Sequence, residues 1–223
     1  MRRLWEGKRV EPVPTPALRL PVSFSTRLFV LPLILASTSP IRKHLLDSAG
    51  VPYEALGPDV DETEVKSRST DPAAIASELA KAKALSGSRE YPQDWAIGSD
   101  SVVTVGGRLF DKPADRGEAA EHLRFFSGKA MRLTSAVALA RGGQVDWEHV
   151  DTATLQVREL SDPFITSYLD AEWPEVSYTV GVFRLEGRGV QLFERIEGDH
   201  FTILGMPLIP LLGALRDRGL LPA

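Results

Sequence analysis

Strand and helix signals alternate along the chain from Leu28 onward, and no other feature restricts the fold as strongly. The most apolar run, residues 28–36, predicts a buried strand that ends in Leu-Ile-Leu-Ala. It leads directly into Ser37-Thr38-Ser39-Pro40, where Ser39 is a favoured N-cap and Pro40 a favoured first helical residue. A strand that passes at once into a helix is the unit of α/β folds. We therefore predict an α/β architecture.

The rest of the chain continues this alternation, and polar residues 58–71 are interpreted as a loop. The Gly-Gly pairs at 106–107 and 142–143 predict hairpin turns. The expected further strands span residues 95–98, 102–105, 108–110, 131–140, 145–157 and 190–196. The expected further helices begin at residues 71–72, 115, 161–163 and 207, and the last ends at residue 218.

Composition excludes several functional classes. The chain has 223 residues, 26 Lys and Arg against 30 Asp and Glu, and no cysteine. Disulfides, thiolate zinc sites and cysteine nucleophiles are therefore excluded, which fits a reducing, cytoplasmic location. A net charge of -4 argues against nucleic-acid binding through a broad basic surface. No apolar stretch approaches the roughly 20 residues that a membrane span needs, so no membrane partner is expected.

Residues 1–27 differ in composition from the rest of the chain. They hold six basic and two acidic residues and four prolines, without helical or strand periodicity or a secretory signal. We predict a flexible extension before one domain, residues 28–223, with a basic arm that contacts a partner or neighbouring subunit as the alternative. The remaining residues hold 20 basic and 28 acidic side chains, a net -8. An anionic ligand would therefore need a focused basic pocket.

The turn from strand to helix at residues 36–42 is the first candidate site. Three hydroxyls and several free amides converge at a helix N-terminus, and Arg42 adds a forked donor one turn further on. This arrangement can bind phosphate, with Ser37 among the donors. Ordinary helix capping is the alternative. The GxxxxGK[ST] pattern of a P-loop is absent.

Two carboxylates form the second candidate site. Glu62 belongs to an acidic cluster in the predicted loop, and Asp100 follows the predicted strand 95–98 at its carboxyl end, where α/β sheets bind ligands. Taken singly, they are interpreted as a solvated loop residue and a turn former. Together they can hold Mg²⁺ with substrate phosphates, or Asp100 can act as a base that activates water.

Two lysines extend this basic and acidic set. Lys83 follows Ile75 and Leu79 at helical spacing, so it should border the buried face, whereas Lys81 should face solvent. Lys112 lies just beyond the predicted hairpin, next to Pro113. Either lysine could bind phosphate, and the plainer alternative for Lys83 is an ammonium that reaches out to water.

Seven motifs in this order resemble the Maf family of nucleoside triphosphate pyrophosphatases. The resemblance spans nearly all of residues 33–220 and rests on LILASTSPIRKHLLDSAG, PDVDE, ELAKAKA, AIGSDSVV, DKP, SG at 127–128 and LFERIEGDHFTILGMPL. It implies an elongated, two-lobed α/β fold similar to inosine triphosphatases, with a central mixed sheet and a nucleotide cleft. It also implies a house-cleaning hydrolase that uses Mg²⁺ or Mn²⁺ to cleave nucleoside triphosphates to a monophosphate and pyrophosphate. A homodimer is an option, because the family is often dimeric.

The resemblance also assigns roles by motif. Asp100 would be the catalytic carboxylate and a metal ligand, and Glu62 the second metal ligand. The phosphate-binding set would be Ser37, Arg42, Lys83 and Lys112. Asp199 of the IEGD run would join the acidic residues.

Three departures from the thymidine- and uridine-triphosphate branch bear on specificity: Ile41, Ser101 and Glu186. In that branch an amide occupies the Glu186 position. A carboxylate only accepts hydrogen bonds, which suits the adjacent N–H donors of guanine. The motifs resemble the 7-methyl-GTP branch, so we expect a methylated guanine nucleotide. Ile41 offers no aromatic face for such a base, although Phe183 or Trp95 could. The alternatives are a dTTP/UTP pyrophosphatase and a non-catalytic nucleotide-binding regulator of cell division.

Overall fold

The structure, a computed structural model, describes residues 33–222. The predicted extension and residues 28–32 of the first predicted strand lie outside the described residues. The strands are β1 Leu33–Ala36, β2 Glu54–Leu56, β3 Trp95–Val105, β4 Arg108–Phe110, β5 Ala130–Arg141, β6 Gln144–Val157 and β7 Phe193–Glu197. The helices are α1 Pro40–Ser48, α2 Glu62–Arg68, α3 Pro72–Glu90, α4 Arg116–Phe126, α5 Asp162–Glu172, α6 His200–Ile203 and α7 Leu208–Asp217. No helix within this range is long and apolar enough to cross a membrane.

A single mixed sheet organises these elements, which confirms the expected α/β class. Its order is β2-β1-β3-β5-β6-β7, and β4 pairs with β3 beside this path. The strands β2, β1 and β3 are parallel, and all other pairs are antiparallel. The parallel part holds the β1–α1 unit that the sequence predicted, with Ser39 as N-cap and Pro40 as first helical residue.

The long strand β3 has a gap along one of its edges. β5 pairs with β3 from Ala96 to Val105 and so occupies the whole of the other edge. β1 pairs with β3 only up to Gly98, and β4 only from Val103 onward. Among the described strands, residues 99–102 of β3 therefore have no partner on this edge. Strand pairing therefore does not use the backbone N–H and C=O groups that these residues direct to this edge.

The helix α3 lies very close to β3 at Gly98. A Cβ atom at this position would lie 2.1 Å from the Ala80 carbonyl oxygen and 2.3 Å from the Ala84 amide nitrogen. Only glycine allows this approach, because backbone atoms cannot turn aside as a side chain can. The contact brings Lys83, next to Ala84, beside Asp100, which lies two residues after Gly98 on the same face of β3.

Apolar packing is divided between the two ends of the long strands. One cluster joins the last residues of β3 to α4 and α5, and includes Phe126 and Leu155. A second joins the first residues of β3 to α1 and α7 on one face and includes Leu46. A third joins α3 to Val102 of β3 and to alanines of β5 on the other face, and includes Leu79. Residues 99–101 lie between these clusters, at the centre of the strand.

Three local predictions need correction. Asp100 does not follow a strand but lies within β3, because pairing with Ala136 of β5 continues the strand through its polar residues. The predicted loop 58–71 contains helix α2, which Asp61 caps by accepting hydrogen bonds from the amides of Thr63 and Glu64. The predicted strand 190–196 begins only at Phe193, after a short 3-10 helix over Arg188–Leu192. The other predicted helix starts and both Gly-Gly hairpins are confirmed.

Replacing Gly98 with alanine should destabilise the protein strongly. The new methyl group would overlap the α3 backbone, so we expect the free energy of unfolding to fall by about 3 kcal/mol or more. Gly213→Ala in α7 is the matched control, because its Cβ would meet nothing within 4 Å. That change should leave stability equal or up to about 1 kcal/mol higher. Urea unfolding followed by circular dichroism measures both, and equal stabilities for the two variants would contradict the packing described.

Candidate active site

Lys83 joins two carboxylates that come from different elements. Its Nζ atom lies 2.6 Å from Asp100 Oδ1 in β3 and 2.6 Å from Glu62 Oε1 in α2. The side chains of Lys83 and Asp100 are 8% and 10% exposed, whereas that of Glu62 is 44% exposed. Burying a charge is costly unless it is paired and hydrogen-bonded. These three side chains therefore form a fixed charged cluster on the α3 face of the sheet.

The pKa of Glu62 shows that several cations surround this cluster. Partial burial raises the pKa of Glu62, but the hydrogen bond and charge of Lys83, with the charges of Lys66 and Lys112, outweigh this effect and lower the pKa. Glu62 is therefore ionised at neutral pH. Lys112 is exposed and lies just after β4, whose last residue, Phe110, pairs with Val103 at one end of the gap. The structure thus brings Lys112 to the same site.

The two carboxylates suit a hard divalent cation. Because one oxygen of each lies 2.6 Å from the same nitrogen, the two oxygens are at most twice that distance apart. The ammonium of Lys83 thus lies between them as a shared cation would. No group of three or more metal-ligating side chains occurs within residues 33–222. Mg²⁺ is commonly held by one or two carboxylates, and water and substrate phosphates supply its other ligands.

Arg42 approaches the gap from the opposite face of the sheet. Its Nε atom donates to the carbonyl of Gly205 at 3.0 Å, and Nη2 donates to Ser101 Oγ at 3.2 Å. Burial lowers the pKa of Arg42, and the charges of Asp100 and Glu62 offset only part of this. An arginine stays protonated regardless. The guanidinium is thus a fixed positive charge within electrostatic reach of both carboxylates.

A chain of hydroxyls determines which hydrogen bonds Ser101 can still make. Ser135 Oγ donates to the Thr202 carbonyl at 2.8 Å and lies 2.8 Å from Ser101 Oγ. Ser101 Oγ also lies 3.2 Å from the Gly205 carbonyl oxygen, so its one proton is directed either to Ser135 or to that carbonyl. Because Ser101 also accepts from Arg42, it has no proton left for a ligand and offers it only a lone pair. Sequence reasoning assigned no role to Ser135, Thr202 or Gly205, although the last two lie in the LFERIEGDHFTILGMPL motif. Strand pairing and the turn after α6 bring all three residues here.

Ser37 lies at the other end of the gap, directly after β1. It is buried, and its Oγ accepts from the Ser39 amide at 3.2 Å. The chain from β1 and the chain from β4 approach the unpaired residues 99–102 from opposite directions, because β1 is parallel and β4 antiparallel to β3. Ser37 and Lys112 therefore border the same gap. All the predicted phosphate-binding residues lie around it.

Lys66 and Asp111 also belong to this region, and sequence reasoning missed them. Lys66 forms an ion pair with Asp111. Burial lowers the pKa of Lys66, but the hydrogen bond and charge of Asp111, with the charges of Glu62 and Asp100, outweigh it and raise the pKa. Recognition of α2 would have found Lys66, because it lies four residues after Glu62 on the same helical face.

The structure does not connect the remaining specificity residues to the cluster. Ile41 is half-buried in α1. Glu186 is exposed, and its charge helps that of Glu172 to raise the pKa of Arg184. Within residues 33–222, Glu186 makes no hydrogen bond or ion pair. Phe183 and Trp95 are buried in separate apolar clusters, which leaves neither ring free to stack on a base. Asp199 caps α6 by accepting from the amides of Phe201 and Thr202.

Comparison with known proteins identifies close relatives. Residues 32–218 match the family described as Maf-like protein. A protein of Rhizobium etli named 7-methyl-GTP pyrophosphatase is 47% identical over 191 residues, which cover 84% of this chain and 96% of that protein. One of Rhizobium meliloti with the same name is 46% identical over 195 residues, 86% of this chain and 98% of that protein.

Another relative has a less specific name, and a solved structure shows weaker similarity. A Nitrobacter winogradskyi protein named nucleoside triphosphate pyrophosphatase is 47% identical over 192 residues, 85% of this chain and 95% of that protein. The crystal structure of a nucleoside-triphosphatase (dITP/XTP pyrophosphatase) from Mycobacterium abscessus covers 57% of this chain and 74% of that chain, at 18% identity and a TM-score of 0.30. Similarity at that level supports no argument about this chain.

Removing Lys83 should raise the pKa of Glu62. In the metal-free protein the pKa of Glu62 lies below its usual 4.5, so its contribution to stability is present above that pH and is lost as the pH falls through the lowered pKa. In Lys83→Met the hydrogen bond and charge that lower this pKa are gone. Carbon-detected NMR titration of the Glu62 carboxyl measures the change.

The matched control is Lys81→Met on the same helix. Lys81 pairs with Glu148 at 3.1 Å, whose pKa is lowered first by a hydrogen bond from Ser77 and then by Lys81. This variant should raise the pKa of Glu148 and leave that of Glu62 unchanged. An unchanged Glu62 pKa in Lys83→Met would contradict the geometry of the cluster.

Proposed function

Since the chain belongs to the Maf family, we propose that it is a nucleoside triphosphate pyrophosphatase whose active site is the gap in the edge of β3. The observation that carries the proposal is the cluster of Lys83 with Glu62 and Asp100 beside Arg42 and Lys112. Carboxylates next to several fixed cations suit an anionic, metal-bound substrate. The relatives named as pyrophosphatases support the same conclusion.

The proposed reaction is hydrolysis between the α- and β-phosphates. A water oxygen bonds to the α-phosphorus while the bond from that phosphorus to the bridging oxygen breaks. The products are a nucleoside monophosphate and pyrophosphate. We assign the proton of the attacking water to Asp100, whose carboxylate the β3 backbone and Lys83 hold in place. Phosphoryl transfer needs positioning and charge stabilisation more than covalent catalysis.

The basic residues would bind the triphosphate from both sides of the gap. Lys83 and Lys112 would act from the α3 side, and Arg42 and the Ser37 turn from the α1 side. Glu62 and Asp100 would hold the divalent cation, Mg²⁺ or Mn²⁺, which supplies charge neutralisation at the phosphates when bound. The cytoplasmic location, the homodimer and the lack of nucleic-acid and membrane partners remain predictions.

For the base we propose a guanine nucleotide, with 7-methyl-GTP as the preferred substrate. Glu186 accepts hydrogen bonds only, and Ser101, whose proton is directed to Ser135 or to the Gly205 carbonyl, also offers a ligand only a lone pair. Acceptors of this kind match the N1–H and N2–H donors of guanine. Relatives of Rhizobium with that activity in their names support the choice.

Replacing Asp100 with asparagine should abolish turnover. Loss of the general base should lower kcat by about 10²–10⁴-fold. The measurement is pyrophosphate release, against orthophosphate, from a panel of canonical and modified triphosphates with Mg²⁺ or Mn²⁺. Asp170→Asn is the control, because Asp170 is exposed and pairs with Arg116 away from the cluster. Circular dichroism verifies that both variants fold.

Full activity in Asp100→Asn would overturn the assignment of the base. If the wild-type protein binds nucleotides tightly but turns over none of the panel, the nucleotide-binding regulator is the better description. Release of orthophosphate alone would contradict cleavage between the α- and β-phosphates.

A Glu186→Gln variant tests the guanine assignment. Loss of a charged acceptor should lower the ratio of kcat/KM for guanine over uracil nucleotides by about tenfold or more. Glu175→Gln is the matched control, because Glu175 is also exposed and its charge also raises the pKa of Arg184. It should leave the ratio unchanged. Identical ratios in the wild type and Glu186→Gln would show that Glu186 does not contact the base.

A further inference from the structure

The helix that carries Glu62 has little to hold it in place. α2 has seven residues, none of which is buried, and only the half-buried Val65 packs against the core from within it. Short helices obtain most of their stability from an apolar face packed on the protein. The position of α2 must therefore depend strongly on its polar contacts. The position of the Glu62 carboxylate is therefore only as well fixed as the position of α2, which carries it.

Two ion pairs connect α2 to the rest of the site. Glu62 at its first turn contacts Lys83, and Lys66 one turn later contacts Asp111. Residues four apart lie on the same helical face, so both contacts point from α2 toward the gap. Asp111 directly follows β4 and directly precedes Lys112. The Lys66–Asp111 pair thus joins α2, which carries Glu62, to the loop that carries the proposed phosphate-binding residue Lys112.

Global stability does not explain the Lys66–Asp111 pair. The two side chains are 34% and 72% exposed, and an exposed pair contributes only about 0–1 kcal/mol. The contribution of the pair is instead local, because it joins two segments that border the gap from different parts of the chain. The raised pKa of Lys66 is consistent with an ammonium that stays charged among Asp111, Glu62 and Asp100.

We propose that Lys66 and Asp111 are positioning residues of the active site. Their ion pair holds α2, and with it the Glu62 carboxylate, at a fixed distance from the loop that carries Lys112. The proposal rests on the pyrophosphatase function proposed above. It assigns no contact with substrate to either residue.

The sign of the Asp111→Asn effect separates positioning from general electrostatics. Removing a negative charge near a polyanionic substrate would by itself raise kcat/KM. If Asp111 positions the site, kcat/KM should fall about tenfold, because small displacements of catalytic groups are costly. Lys66→Met should cause a similar loss. The double variant should be no worse than Lys66→Met alone, since both changes break one contact.

Arg68→Met is the matched control for Lys66→Met. Arg68 lies in the same last turn of α2 and, among residues 33–222, forms an ion pair only with Glu64 of the same helix. This variant loses the same charge but should keep wild-type turnover. Hydrogen exchange of the amides of residues 65–68 gives a readout independent of activity. Exchange should be about tenfold faster in Lys66→Met and Asp111→Asn than in Arg68→Met, because the released helix opens more often.

The outcomes are distinguishable. A rise or no change in kcat/KM for Asp111→Asn, additive losses in the double variant, or unchanged exchange of α2 would each overturn the positioning role. If the wild-type protein releases no pyrophosphate from any triphosphate, the proposed function fails instead. In that case the exchange data still report whether the pair holds α2.

Discussion

The close approach of α3 to the sheet at Gly98 sets the geometry of the cluster around Lys83. Because a side chain there would overlap the α3 backbone, the helix and β3 approach each other more closely than ordinary helix–sheet packing allows. Lys83 then lies next to Asp100 without extending into solvent, and its ammonium reaches Glu62 of α2 as well. One glycine in a strand thus determines where a buried cation and two carboxylates meet.

The interrupted edge of β3 explains why the proposed ligand-binding groups lie close together. Strand pairing normally satisfies the backbone groups of both edges, but β1 ends at Gly98 and β4 begins only opposite Val103. The chain segments that follow these two strands carry Ser37 and Lys112. Arg42 and Lys83 enter from opposite faces of the sheet. Residues 28–223 carry a net charge of -8, so this convergence would supply the focused basic site that an anionic substrate requires.

Local signals predicted much of the fold, whereas tertiary contacts decided the parts that sequence missed. Ser39, Asp115 and Ser161 mark helix starts through preferences that act within a few residues, and the structure confirms all three N-cap positions. Asp115 and Ser161 accept hydrogen bonds from helix amides, whereas the Ser39 side chain makes no capping hydrogen bond. Asp100 was expected to follow a strand because polar residues usually end one, but β5 continues the pairing through it. Helical spacing predicted that Lys83 lies toward the buried face of α3. Its partners were not, since they depend on the Gly98 contact.

The charges of the central cluster constrain what can bind. Glu62, Asp100 and Lys83 together carry a net charge of -1, which would repel a triphosphate at its reacting centre. A divalent cation held by the two carboxylates would reverse this sign and leave the ammonium of Lys83 able to interact with phosphate oxygens. Arg42 cannot make this change alone, because its donors are partly taken by Gly205 and Ser101. A metal-free triphosphate should therefore be a poor ligand, and the metal and nucleotide should bind together.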